Sequence, residues 1–121
     1  MRMIAISLKW RLGMAGLEEI SPAKLKERLD RGEHPVILDV REPGEIAIAP
    51  FPGSLHIPMG EISGRLDELD PDAETIVVCH HGIRSAQVAM YLAQTGFARV
   101  LNLSGGTEAW ALTVDPRMRR Y

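Results

Sequence analysis

One cysteine, Cys79, stands in 121 residues. A single thiol closes no internal disulfide, so the chain has no covalent staple of its own. A reducing compartment suits it, and the free thiol itself calls for an explanation. Long apolar runs are lacking as well: none approaches the roughly 18 residues of a membrane span. The opening Met1 to Leu8 faintly resembles a secretion signal, but Lys9 and Arg11 cut it short and no small-residue cleavage site follows. The protein is therefore read as cytoplasmic. Charge of one sign is also missing. The balance of 14 Lys and Arg against 16 Asp and Glu leaves −2, with a pI near 6.1, and gives no reason to expect a nucleic-acid partner. No repeat, linker or low-complexity segment interrupts the chain. Cys79, His80 and His81 are adjacent on one tight loop and cannot all converge on a tetrahedral ion, and no second cluster supplies ligands at finger-like spacing. Neither a metal nor a cofactor is expected.

What is present is an ordinary single domain, 45% hydrophobic and 25% charged, long enough to bury a real core. Residues 4 to 12 alternate apolar and polar, which reads either as an extra strand with one buried face or as a frayed extension. Ser21-Pro22 starts a helix, Ser as N-cap and Pro in the first turn, which Gly32 ends. Residues 35–40 and 75–79 are near-continuous apolar runs of the kind that form parallel strands covered on both faces. Helices are predicted over 60–69 and from Ala86 to near Gly96. A brief strand lies at 54–57, another at 99–103, and Gly105-Gly106 leads into a short helix carrying Trp110. Residues 115–121 are basic, contain proline and are expected on the surface. Alternating strands and helices imply an α/β fold: a mostly parallel central sheet with helices on both faces, and ligands bound beyond the C-terminal strand ends.

Cys79 falls at such an end. The strand 75–79 gives way to Cys79-His80-His81-Gly82-Ile83-Arg84-Ser85, and that loop leads into a helix. Backbone N–H groups without an intrahelical partner point into such a loop, and the helix dipole adds partial positive charge. Both favour a thiolate over a thiol. Gly82 gives the loop a position without Cβ, and Arg84 offers a planar cation for an anionic donor or a brace for the loop. His80 and His81 either shape the pocket or face solvent. Asp39 and Arg41, at another strand end, are better suited to bracing loops by hydrogen bonds than to touching substrate. His56, inside a strand, is read as a satisfied structural histidine. Asn102-Leu103-Ser104 matches a glycosylation acceptor, which means nothing without a secretory route.

Four segments occur together in a recognisable order: Leu38-Asp39-Val40-Arg41-Glu42-Pro43, Phe51-Pro52-Gly53-Ser54-Leu55-His56-Ile57-Pro58, the loop from Cys79 to Ser85, and Gly105-Gly106-Thr107-Glu108-Ala109-Trp110. In these the chain resembles the rhodanese (sulfurtransferase) domain family, in its single-domain bacterial form. The resemblance implies a rhodanese-like three-layer domain over 16–113, with 1–15 as an extension and 114–121 as a tail. It also implies that Cys79 takes a sulfane sulfur from a donor, thiosulfate or a low-molecular-weight persulfide, and holds it as a persulfide. A thiol or cyanide then removes it, and a sulfur-accepting protein is a further candidate partner. His80 stands where thiosulfate-using members often carry a basic residue, and Ala49-Pro50-Phe51 replaces the family's usual Gly-His-Ile.

Two other readings compete. A cysteine phosphatase or arsenate reductase of the tyrosine-phosphatase type needs Cys-x5-Arg, whereas Cys79 and Arg84 enclose four residues. The shorter loop suits a smaller terminal group, a single sulfur. A partner-binding or redox-sensing module on the same fold is the other alternative, and the presence of the cysteine weighs against it.

Overall fold

The apolar runs become the inner strands of a parallel sheet. The computed structural model describes residues 17–121. In chain order these form β1 (Glu19–Ile20), α1 (Pro22–Asp30), β2 (Val36–Asp39), α2 (Pro43–Ile48), β3 (Leu55–His56), β4 (Glu74–Val78), α3 (Ile83–Gln94), β5 (Arg99–Leu103) and α4 (Gly106–Thr113). The alternation over residues 4 to 12 lies outside the described residues. The sheet order is β1-β5-β4-β2-β3 and every pairing is parallel. After β2 the chain moves outward to β3, and after β4 it moves the other way to β5. The order thus reverses between β2 and β4, and in such sheets that is where a crevice opens beyond the C-terminal strand ends.

Side-chain alternation divides the strands between two cores. Ile37, Ile76, Val78, Leu101 and Leu103 pack with Leu25 of α1, Trp110 and Ala111 of α4, Phe51 and Met118. On the opposite face Leu38, Val40, Val77 and Val100 pack with Val88, Ala89 and Leu92 of α3, together with Ile62 and Phe97. The three layers follow from these two cores.

Local chemistry sets most boundaries. The Ser21 hydroxyl accepts from the Lys24 N–H at 3.1 Å, Pro22 occupies the first turn of α1, and Gly32 follows at φ +85°. The helix predicted over 60–69 is instead two short 3₁₀ turns, Met59–Glu61 and Leu66–Glu68. Gly60, Ser63 and Gly64 all weaken a helix there, and Ile62 and Leu69 reach the core from the turns alone. Helix α3 starts at Ile83, ahead of the predicted Ala86, so Arg84 and Ser85 stand in its first turn. Residues 115–121, expected on the surface, are largely exposed, but the segment turns back across the fold and Met118, only 9% exposed, enters the core.

Candidate active site

Cys79 is the first residue past β4, 1% exposed, at the strand end beside the order reversal. Gly82 holds φ +94°, a left-handed conformation that turns the chain into α3. That turn aims donors at the sulfur. Sγ lies 3.1 Å from the Gly82 N–H nitrogen, 3.3 Å from that of Ser85 and 3.2 Å from the Ser85 hydroxyl. The same hydroxyl is 2.5 Å from Asn102 Oδ1. Asn102 Nδ2 donates to the Gly82 carbonyl at 3.0 Å and to Glu19 Oε2 at 2.9 Å, and these two acceptors fix the orientation of the amide. One hydroxyl proton thus serves two acceptors. With a thiol, S–H can donate to Oγ while Oγ–H donates to Asn102; with a thiolate, the hydroxyl can turn to the sulfur.

The other side of the loop rests on the start of α4. Thr107 N–H donates to the Cys79 carbonyl at 2.9 Å and Glu108 N–H to that of His80 at 3.0 Å. These are N–H groups the helix itself leaves unpaired, here used to hold the loop. Gly106, at φ +61°, makes the approach possible: a Cβ there would collide with the carbonyl oxygens of both Cys79 and His80.

Charged groups surround the loop in pairs. Arg84 makes a two-pronged contact with Glu45 of α2, at 2.6 and 2.9 Å. Glu45 also accepts from the Tyr121 hydroxyl at 2.7 Å. The Arg84 hydrogen bonds hold the Glu45 carboxyl down at about 2, against the opposing effect of its partial burial. Asp39 and Arg41 form a fully buried pair, with Arg41 Nη2 2.7 Å from Asp39 Oδ2. Nη2 also donates to the Ala49 carbonyl at 2.7 Å and Nη1 to the Tyr121 hydroxyl at 2.9 Å. Burial opposes the Arg41 charge, but the Asp39 and Tyr121 hydrogen bonds outweigh it and the guanidinium titrates above its ordinary value. His56 Nε2 donates to the Arg41 carbonyl at 2.6 Å, so the histidine is satisfied and fixes the end of this strand. Burial pushes the His80 imidazole below its ordinary range, and neighbouring His81 adds to the effect.

Of the residues singled out in the sequence, two reach the Cys79 sulfur and others brace its loop. Cys79, Gly82 and Ser85 are in direct contact. Arg84 braces the loop through Glu45, and Asp39 with Arg41 braces the neighbouring strand end. His80 is partly buried, whereas His81 is exposed and the Ile83 side chain, on a residue 70% exposed, points away from the core. Sequence reasoning missed Asn102, Glu45 and Tyr121 as parts of the site. A polar residue inside the apolar strand at 99–103 was a usable signal for Asn102; nothing in the residues around Glu45 or Tyr121 marks them as facing the cysteine loop.

The family model for the Rhodanese-like domain matches residues 21–113, and the chain belongs to that family. Among its relatives, a sulfurtransferase of Allochromatium vinosum is 41% identical over 95 residues, 78% of this chain and 89% of the other. The thiosulfate sulfurtransferase GlpE of Ectopseudomonas mendocina is 36% identical over 100 residues, covering 83% and 90% respectively. Among solved structures, a rhodanese-like domain protein from Staphylococcus aureus superposes with a TM-score of 0.76 at 30% identity, covering 87% of this chain and 99% of that one.

Proposed function

We propose that the protein is a sulfurtransferase that carries a sulfane sulfur as a persulfide on Cys79. The observation that supports it above all is the convergence of the Gly82 N–H, the Ser85 N–H and the Ser85 hydroxyl on one buried sulfur at the end of β4. The Cys79 thiolate attacks the outer sulfur of the donor. The donor S–S bond breaks, and its electron pair leaves with a thiolate or, from thiosulfate, with sulfite. The product is Cys79–S–S⁻, whose charge the same donors can accept. An acceptor thiolate or cyanide then attacks the terminal sulfur and returns the Cys79 thiolate. No external oxidant or reductant is required. With one cysteine in the sequence, release falls to an external thiol, small or on an acceptor protein, in a reducing cytoplasm.

The charge arrangement favours a low-molecular-weight persulfide over thiosulfate. Arg84 is held by Glu45, Arg41 by Asp39, and burial keeps His80 toward its neutral form, so these groups offer little to a dianion. Glu45→Gln, by loosening Arg84, should raise kcat/KM for thiosulfate relative to a persulfide donor. The direct test is intact-mass analysis after incubation with each donor and then with cyanide. A gain of about 32 Da, one sulfur, reversed by cyanide and absent in a folded Cys79→Ser variant, is the expected result. No gain from either donor, with Cys79 reduced and alkylatable, would overturn the proposal in favour of a partner-binding or redox-sensing module.

A further inference from the structure

The family match ends at residue 113, yet the segment that follows returns to the cysteine loop. Its path is fixed at several points. Val114 and Asp115 N–H groups donate to the Trp110 carbonyl at 2.8 and 3.0 Å, Met118 is buried, and Arg120 contacts Glu108 through Nε and Nη2. Tyr121 then lies flat against His80, ring centroids 3.8 Å apart and planes inclined by 14°. His81 touches the His80 ring at 3.9 Å, and His80 Nε2 is buried with no hydrogen-bond partner among the described residues. Stacking, rather than a bond at Nε2, orients this imidazole. The Tyr121 hydroxyl meanwhile accepts from Arg41 and donates to Glu45, the residue that holds Arg84.

We infer that Tyr121 is a positioning residue of the sulfur-transfer loop: its ring sets His80 and its hydroxyl links Arg41 to the Glu45–Arg84 brace, so residues 114–121 hold the loop around Cys79. The inference rests on the reading of Cys79 as the sulfur carrier. Two separable functions follow from the two ends of one side chain. The ring shields His80, which also faces His81 on its own loop, Glu108 of α4, Glu45 of α2 and Arg84 of α3. The hydroxyl joins two charged pairs that come from β2 with its following residues, α2 and α3.

The experiment compares Tyr121→Ala and Tyr121→Phe with the wild-type chain, with Arg117→Ala as a control on the same segment, its side chain 93% exposed. NMR titration follows the His80 ring and the backbone amides of Gly82 and Ser85. In Tyr121→Ala, loss of the shield should move the His80 midpoint upward and shift both amides. Tyr121→Phe should keep the His80 midpoint and shift the amides, since it retains the ring and loses the link. Sulfur transfer should fall about tenfold in kcat/KM in Tyr121→Ala and stay at the wild-type level in Arg117→Ala. A Tyr121→Ala protein that melts cooperatively, with His80 and both amides unmoved or with unchanged transfer, would overturn the inference. If the wild-type protein accepts no sulfur at all, the proposed function fails instead, and the NMR comparison still decides whether Tyr121 holds the loop.

Discussion

Ser85 concentrates the local chemistry in one proton. Its hydroxyl stands 3.2 Å from Sγ and 2.5 Å from an Asn102 oxygen whose orientation is already fixed. Ser85→Ala removes a donor to the sulfur and leaves Asn102 Oδ1 buried without its donor, while the residue 85 backbone N–H remains. We expect the rate of persulfide formation to fall about 10- to 100-fold, toward the lower end of what loss of one preorganised donor produces. Stability should fall by about 1–3 kcal/mol, the range for a buried polar atom left unpaired. Stopped-flow sulfur loading and urea unfolding would check both. A wild-type loading rate in this variant would place the hydroxyl outside the chemistry. Ser85 and Cys79 were legible in the sequence because strand, loop and helix succeed one another within a few residues. The Asn102 half of the pair was hidden, since nothing local says that a residue 17 positions further on faces this serine.

At the scale of elements, the site depends on two helix starts meeting one loop. Gly82 at the N-cap of α3 and Ser85 in its first turn supply N–H groups to the sulfur, and α4 supplies N–H groups to the loop carbonyls. Gly106 is what allows α4 close enough. Gly106→Ala forces a methyl group into the Cys79 and His80 carbonyls in a backbone conformation that already disfavours a side chain. Sulfur loading should be reduced by at least about tenfold, because a displaced loop misaligns the reacting sulfur. The variant should also be destabilised by about 2–4 kcal/mol, as overpacking and strain combine. Gly44 is the contrast: it lies inside α2, where a Cβ would meet nothing within 4 Å. Gly44→Ala should leave loading unchanged and stability equal or raised by about 0.5–1 kcal/mol. Thermal melts and mass-detected loading of the two variants form one experiment, and equal behaviour would contradict the steric account. The sequence marked Gly105-Gly106 as a helix start but said nothing of what the helix start touches. The helix expected over 60–69 gives way to two short turns because Gly60 and Gly64 weaken it from inside.

For the molecule as a whole, segments distant in sequence are tied together at the mouth of the site. Glu45 and Arg84 are 39 positions apart, and Arg41 and Tyr121 are 80 apart. The parallel sheet, its two covered faces and the place of Cys79 were all readable from strand composition and order. The path of residues 114–121 was not: its basic residues suggested solvent, while Met118 and Tyr121 carry the contacts.

These ties predict a particular response to acid. The Glu45 carboxyl titrates at about 2 in the folded protein, against an ordinary value of 4.5, because Arg84 favours its charged form. A depressed carboxyl stabilises the fold fully above its unfolded value and loses that contribution as pH falls through the folded value. The Glu45 contribution should therefore be complete above about pH 4.5 and vanish toward about pH 2. Solvent reaches Arg84, whose side chain is 35% exposed, so the bridge contributes only about 1 kcal/mol. Glu45→Gln should accordingly lower stability by about that amount at pH 7, and the gap from wild type should close as pH falls from about 4.5 to 2. Urea unfolding at a series of pH values measures the gap directly. A gap that stays constant across this window would mean that the carboxylate charge is not what joins α2 to α3.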